Sequence, residues 1–412
     1  MNIMNNKQLE QIWTKSFISI SFTQLLVFTV FYSLLTTLPI YITGHLGESQ
    51  SIAGLAVTFM LISAIMIRPF SGKILDVVGK KKTLILSIIL FAVTTFFYLW
   101  MNQLASLLIL RFIHGISFGI LTTATASIAA DIIPKSRRGA GMGYFAMSMN
   151  IAIVLGPFIG LSLLQFVSFE TLFIILNVLM LIGIYLSLNV ELSEQTPAEK
   201  LKLEHFRMKP SDLLEVKAVP VGIISGLVGF AYASILSFVS IHAEELGLSS
   251  VSSYFFLVFA IVMIVFRPYL GRAFDDKGPK KVLIPSLFIF SFGLILLGFT
   301  TTAFMLLLTA GFIGLGYGTL LPGFQTLSIQ SASSDRSGYA LSTFYVFYDI
   351  GIAAGAYVWG LIVGYYNFGT MYFTSGLLVL VTIVIFHMYL MKREKARLKQ
   401  RTSTKEAHSY HI

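Results

Sequence analysis

The sequence predicts an all-α membrane protein of twelve transmembrane helices, arranged as two six-helix bundles related by a pseudo-twofold axis. Three observations carry this reading. The composition is too apolar for a soluble domain, apolar runs of spanning length recur along the chain, and the second half repeats the first. Of the 412 residues, 56% belong to the set AVILMFWYC and only 12% are Asp, Glu, Lys or Arg, with a mean hydropathy of +0.82. Soluble domains carry about 25% charged residues, so a water-exposed fold of this chain would show more apolar surface than water tolerates. That excludes a soluble enzyme, a secreted disulfide scaffold and a disordered protein. The chain has no cysteine, which excludes disulfides, thiolate-held zinc and iron–sulfur clusters.

A helix needs about 20 apolar residues to cross a bilayer. Runs of that length predict spans at 17–42, 52–72, 83–101, 105–130, 139–165 and 171–190, then at 216–241, 250–271, 281–300, 304–330, 337–364 and 369–391. Residues 1–16 are polar, and the long run after them reads as a retained first span rather than a cleaved signal. The charges test the count. Alternate loops at 44–51, 102–104, 165–170, 242–249, 300–303 and 365–368 hold no Lys or Arg. Of the 29 basic residues, all but Arg111 are read as lying in the termini or in loops on the other side, with Arg111 alone inside a span. The positive-inside rule places that basic side, and both termini, in the cytoplasm. It also gives the net charge of +10 a topological meaning, with no nucleic-acid partner.

The two halves share a register. Residues 68–84 read RPFSGKILDVVGKKKTL and residues 267–283 read RPYLGRAFDDKGPKKVL, with eight of seventeen positions identical at an offset of 199. At the same offset Gly115 pairs with Gly314, Gly119 with Gly318, Arg137 with Arg336, Gly139 with Gly338 and Gly156 with Gly355. Each half has six spans and starts on the same side, so the repeats are parallel about an axis along the membrane normal. The predicted organisation is a bundle at 1–190, a cytoplasmic linker at 191–215, a second bundle at 216–391 and a basic, mobile cytoplasmic tail at 392–412.

The segment from Gly72 through Asp76 and Gly79 to Lys80 and Lys81 resembles the loop 2–3 signature of the major facilitator superfamily. Arg111 through Gly115 resembles its fourth-helix signature. Gly156, Pro157 and Gly160 resemble the fifth-helix signature of its antiporters. Val77 stands where that family usually has Arg, and Leu161 replaces a second Gly. The whole 6+6 layout is similar to the twelve-helix drug:proton antiporter branch. The resemblance implies a cytoplasmic gating latch at Gly72, Asp76, Gly79, Lys80, Lys81 and Asp131, with a weaker copy at Asp275. It implies a role for Gly156, Pro157 and Gly160 in limiting proton leak, beside the close helix packing that small residues four apart allow. It also implies a central cavity lined by helices 1, 4, 7 and 10.

Three residues are candidates for proton coupling. Arg111 lies about 10 Å from the outer end at 1.5 Å per residue, where a lipid-facing guanidinium costs several kcal/mol. It is therefore expected to face the interior or a wet cavity, coupling proton release to cargo binding or holding an anionic group, or to be satisfied by backbone carbonyls. His114, one turn on, reads equally as a proton carrier or as a neutral histidine bonding a neighbouring helix. Asp349 is the one acid deep in a span, near the midplane. It suits proton exchange, binding of a cation, or a hydrogen bond to a tyrosine. The repeat puts Asn150 at the equivalent place in the first half, so the acid belongs to the second half alone. Cavity candidates are Gln24, Phe28, Phe31, Tyr32, Phe118, Asn150, Tyr232, Tyr317, Gln325, Tyr345 and Tyr348.

No Walker loop, metal-ligand spacing or nucleophile motif stands out, so no enzyme activity, cofactor or metal is expected, and the proton gradient is the energy source. The expected function is export of small amphipathic drugs or metabolites by proton antiport, by a monomer in a bacterial inner membrane. One alternative is export of an endogenous anionic or zwitterionic metabolite, such as a metal-chelating acid. Another is nutrient uptake by proton symport. A non-transporting sensor is the distant one.

Overall fold

The computed structural model describes residues 11–48, 52, 55–192, 209, 213–333 and 336–409. Among these lie twelve long helices, each long and apolar enough to cross a membrane, and no strand. The first six are α1 (Lys15–Gly44), α2 (Leu55–Val78), α3 (Lys80–Phe97), α4 (Leu104–Ile132), α5 (Arg138–Leu163) and α6 (Phe169–Leu188). The second six are α7 (Val219–Glu245), α8 (Ser249–Lys277), α9 (Pro279–Leu297), α10 (Ala303–Ser331), α11 (Ser337–Tyr365) and α12 (Phe368–Ser409). Hydroxyl caps mark several starts. Thr14 accepts from Phe17 N–H at 3.1 Å, and Thr302 accepts from Met305 N–H.

Three sequence-based expectations need correction. First, α2 and α8 do not end at 72 and 271 but run to Val78 and Lys277. The apolar Ile74, Leu75, Val77 and Val78 sustain α2, and the helix breaks where Gly79 takes φ 90°; Gly278 breaks α8 at φ 81°. Gly72 is therefore a helical residue and makes no turn. Second, Arg111 is not alone inside a span: Arg68 and Arg267 lie ten residues before the ends of α2 and α8, and both are buried. Third, α12 continues through Ser409, where a basic tail was expected from residue 392, because Lys, Arg, Glu, Gln and Ala sustain a helix well. Most of the expected linker lies outside the described residues. Its end is tied down, with Glu215 N–H donating to Thr343 at 2.8 Å and its carboxylate paired with Arg336.

The repeat seen in sequence has a packing cause. A Cβ on Gly115 of α4 would lie 2.2 Å from the Met60 carbonyl of α2, and one on Gly314 of α10 would lie 2.6 Å from the Phe259 carbonyl of α8. Likewise Gly156 of α5 faces Thr29 and Tyr32 of α1, while Gly355 of α11 faces Phe230 of α7. Backbones approach closely at equivalent places in each half. The tightest is Gly351, where a Cβ would stand 2.0 Å from the Gly226 carbonyl, whereas Gly364 on the same helix has nothing within 4 Å. Gly351→Ala is expected to cost at least the roughly 1–3 kcal/mol of overpacking and to lower the melting temperature of the purified protein; Gly364→Ala should leave it unchanged. Equal melting of the two variants would contradict this packing.

Candidate functional site

The halves meet along the helix pairs α2–α11, α5–α8, α5–α10 and α4–α11. Their named contacts gather toward the end that carries the basic loops, called here the basic end. Tyr339 of α11 donates to Asp76 of α2 at 3.1 Å, and a Cβ on Gly72 would lie 2.9 Å from the Tyr339 Cα. Lys80 spans the seam, donating to Asp131 at 2.5 Å and to Ser337 of α11 at 2.9 Å. On the other side Asp275 of α8 accepts from Gly139 N–H at 2.7 Å and Ala140 N–H at 2.9 Å, at the positive end of the α5 dipole. Lys81 is turned within its own half, to the Leu188 carbonyl at 2.7 Å and to Val190. Asp76, Lys80 and Asp275 thus each bond across the seams at the basic end, and Lys81 does not. Toward the far end, Gly156 and Gly160 pack on α1 and Gly355 packs on α7, each within its own half. Gly156 and Gly160 thus sit at the α1–α5 contact of their own bundle, and Pro157 lies inside α5 between them.

Deeper along the α2–α11 seam lies the pair that joins the halves electrostatically. Arg68 Nε donates to Asp349 Oδ2 at 2.5 Å, with side-chain exposures of 4% and 19%. The same guanidinium donates to Thr122 at 3.2 Å and Thr123 at 3.4 Å on α4, and lies 4.5 Å over the Tyr345 ring. Ser342 donates to the Arg68 carbonyl. Removing one member of such a buried pair costs about 3–5 kcal/mol, because a charge is left without its partner. Sequence reasoning missed Arg68. Its signal is present, since the Arg-Pro pair recurs at 68 and 267, but the charge count places it with the basic residues of the cytoplasmic side.

Around this pair the structure brings together most of the residues read as cavity-lining. In the second half Tyr345 accepts from Gln325 Nε2 at 3.0 Å, Tyr348 bonds Tyr317, and Tyr317 stacks on Tyr232 at 3.9 Å between ring centroids. In the first half Phe31 stacks on Phe118 at 4.6 Å, Phe28 and Tyr32 join that cluster, and Gln24 accepts from Thr125 at 2.5 Å. Asn150 is buried on α5. The first-half cluster is mostly phenylalanine, with the Tyr32 phenol and the Gln24 amide, and the second-half cluster is mostly phenols, with the Gln325 amide.

Arg111 and His114 are not part of this group. Arg111 is fully buried, with Nε donating to the Ala56 carbonyl at 2.8 Å and Nη1 to the Tyr98 hydroxyl at 3.5 Å. His114 Nδ1 lies 3.0 Å from the same hydroxyl, and its ring packs 4.1 Å from Phe91. Eleven residues of α4, about 17 Å of rise, separate Arg111 from Thr122. Tyr98, which links the two, is a second residue that sequence reasoning missed. Among the described residues no group of His, Asp and Glu is placed to hold a metal.

Comparisons with known proteins agree with this architecture. The model of the Major Facilitator Superfamily matches residues 20–277 and 221–410. The multidrug resistance protein MdtG of Serratia proteamaculans is 24% identical over 380 residues, covering 90% of this chain and 92% of that protein. MdtG of Citrobacter koseri is 26% identical over 375 residues, covering 88% and 92%. Among solved structures, the human organic anion transporter MFSD10 superposes with a TM-score of 0.77 at 16% identity, covering 90% of this chain and 98% of that one. The proton:xylose symporter XylE superposes with a TM-score of 0.72 at 13% identity, covering 91% and 96%.

Proposed function

Because the chain belongs to the major facilitator superfamily of transporters, we propose that it exports small amphipathic compounds across a bacterial inner membrane in exchange for protons, with the Arg68–Asp349 pair as the coupling switch. The observation that carries the reading is the pair itself, an ion pair between the two halves whose members are 281 residues apart in sequence, with the Arg68 guanidinium over the Tyr345 ring. The names of the MdtG relatives support drugs as cargo. The crowding of basic residues on one side supports a cytoplasmic basic end.

The cycle follows from charge. In the closed state Asp349 is ionised and holds Arg68, and the basic end is shut. A proton arriving through the far side neutralises Asp349. Arg68 is then a buried cation without its partner, and the α2–α11 seam loses what offset its desolvation. The halves rock apart at the basic end. Cargo enters the cavity, the proton leaves to the cytoplasm, and the restored ion pair draws the seam closed behind the cargo. Arg111 and His114 brace the first bundle and take no part in the exchange.

The test uses inside-out vesicles with an imposed pH gradient, acid inside, and a panel of amphipathic dyes and antibiotics. At least one compound is expected to accumulate while the gradient lasts, and to be lost when nigericin collapses it. Accumulation that ignores the gradient would contradict proton exchange.

A further inference from the structure

The internal repeat makes Arg267 the counterpart of Arg68, and Asn150 the counterpart of Asp349, each at an offset of 199. The two seams are therefore alike in position and unlike in charge. At α2–α11 a guanidinium meets a carboxylate. At α5–α8 the guanidinium of Arg267, 4% exposed, donates Nη1 to the Gly318 carbonyl at 2.5 Å, while its Nε and Nη2 have no partner. Gly143 of α5 lies against it, so close that a Cβ there would stand 2.7 Å from Nε. Asn150 is two turns further along α5, on the same face as Gly143. A guanidinium keeps its charge in a protein, and a buried charge without a counter-charge is costly. The chain places a carboxylate opposite one of the two arginines and an amide on the helix face that meets the other.

We propose that Arg267 is an anion-binding group of the transport cycle, and that its ligand is a carboxylate on cargo entering from the basic end. With α5 and α8 apart, the guanidinium is free to offer its fork of donors to a carboxylate. With them together, as in this structure, Gly143 closes over it, one donor turns to Gly318, and no room is left for a ligand. Arg267 thus binds an anion in one state and is withdrawn in the other, giving a difference in affinity between the two faces of the membrane. Such a difference is what directional transport needs. The inference rests on the reading of the chain as a transporter and not on proton coupling.

The test is equilibrium binding to the purified full-length protein, with no gradient, of dansylglycine and its neutral amide. Wild type is expected to bind the carboxylate about tenfold or more tightly than the amide, the size of a charge-assisted hydrogen bond. Arg267→Gln should bring that ratio near one, and Arg267→Lys should retain part of it. Asn150→Asp supplies the missing carboxylate from within, removes no cation, and should also bring the ratio near one; it carries the test if Arg267→Gln does not fold. Asp349→Asn loosens the basic end in the proposed cycle and should keep a preference for the carboxylate at least as large as that of wild type, so that a failure of the coupling scheme is told apart from a failure of this site. Probes that bind alike in wild type, at any affinity, would overturn the proposal. So would a preference for the carboxylate that survives both Arg267→Gln and Asn150→Asp, or one that Asp349→Asn abolishes.

Discussion

Asp349→Asn is expected to end gradient-driven accumulation of cargo, reducing it at least tenfold, while the twelve-helix fold persists. The amide is nearly the size of the carboxyl but carries no exchangeable charge, so the seam loses its switch. Arg68 keeps its contacts to Thr122, Thr123 and the Tyr345 ring, which is why folding should survive. The lost pair should still lower stability, by up to the roughly 3–5 kcal/mol of a broken buried ion pair, and thermal unfolding in detergent measures this. A second variant tells the charge from the geometry. Arg68→Met together with Asp349→Leu removes both charges, and replacing a buried pair by apolar groups is often neutral for stability. The double variant should therefore melt near wild type, above Asp349→Asn, and remain uncoupled. A double variant that accumulates cargo under a gradient would place the coupling elsewhere.

Gly72→Ala is expected to cut transport as deeply by a different route. A Cβ at Gly72 meets the backbone of Tyr339, 2.9 Å from its Cα, across the seam between the halves. Backbone has little room to yield, so the basic end cannot shut. The three atoms nearest that Cβ all belong to Tyr339 of the other half, so each bundle should fold as before. The expected readout combines cargo accumulation below a tenth of wild type with a faster reaction of a thiol placed at the seam. Leu75→Cys supplies that thiol: Leu75 is 2% exposed and faces Gly338 of α11. The chain has no other cysteine. In the Gly72→Ala background Cys at 75 should react with N-ethylmaleimide about tenfold faster than in wild type, since burial protects it only in the closed state. An unchanged rate with normal transport would show that the α2–α11 seam tolerates the methyl group.

The fold was legible in the sequence because its determinants are local or periodic. Apolar runs of spanning length, the absence of Lys and Arg from alternate loops and the offset of 199 each report on the backbone without knowledge of contacts. The ends of α2 and α8 were misplaced for a local reason as well. The run of Lys and Asp after Gly72 resembles a loop, and only the positive φ of Gly79 and Gly278 marks where the helices end. The site was legible in part. Asp349 stood out as an acid deep in an apolar span, and Tyr345 and Tyr348 follow from its helical face. Its partner Arg68 did not stand out, because a pairing across 281 residues leaves no periodic trace. Arg111 drew attention for the same reason as Asp349, a charge in an apolar span, yet its partners are a backbone carbonyl and Tyr98 within one bundle. A charge inside a membrane helix therefore points to a partner, and only the three-dimensional arrangement tells a partner in the same bundle from one across the seam.

Proton exchange at Asp349 is tested most directly by cargo-evoked proton movement. Inside-out vesicles are energised to hold an acid interior, a pH-sensitive dye reports the gradient, and a transported compound is added to wild type and to Asp349→Asn. The compound is expected to dissipate the gradient in wild type and to leave it intact in the variant. Equal dissipation in both would show that protons cross without this carboxylate, and the coupling role of the Arg68–Asp349 pair would be withdrawn.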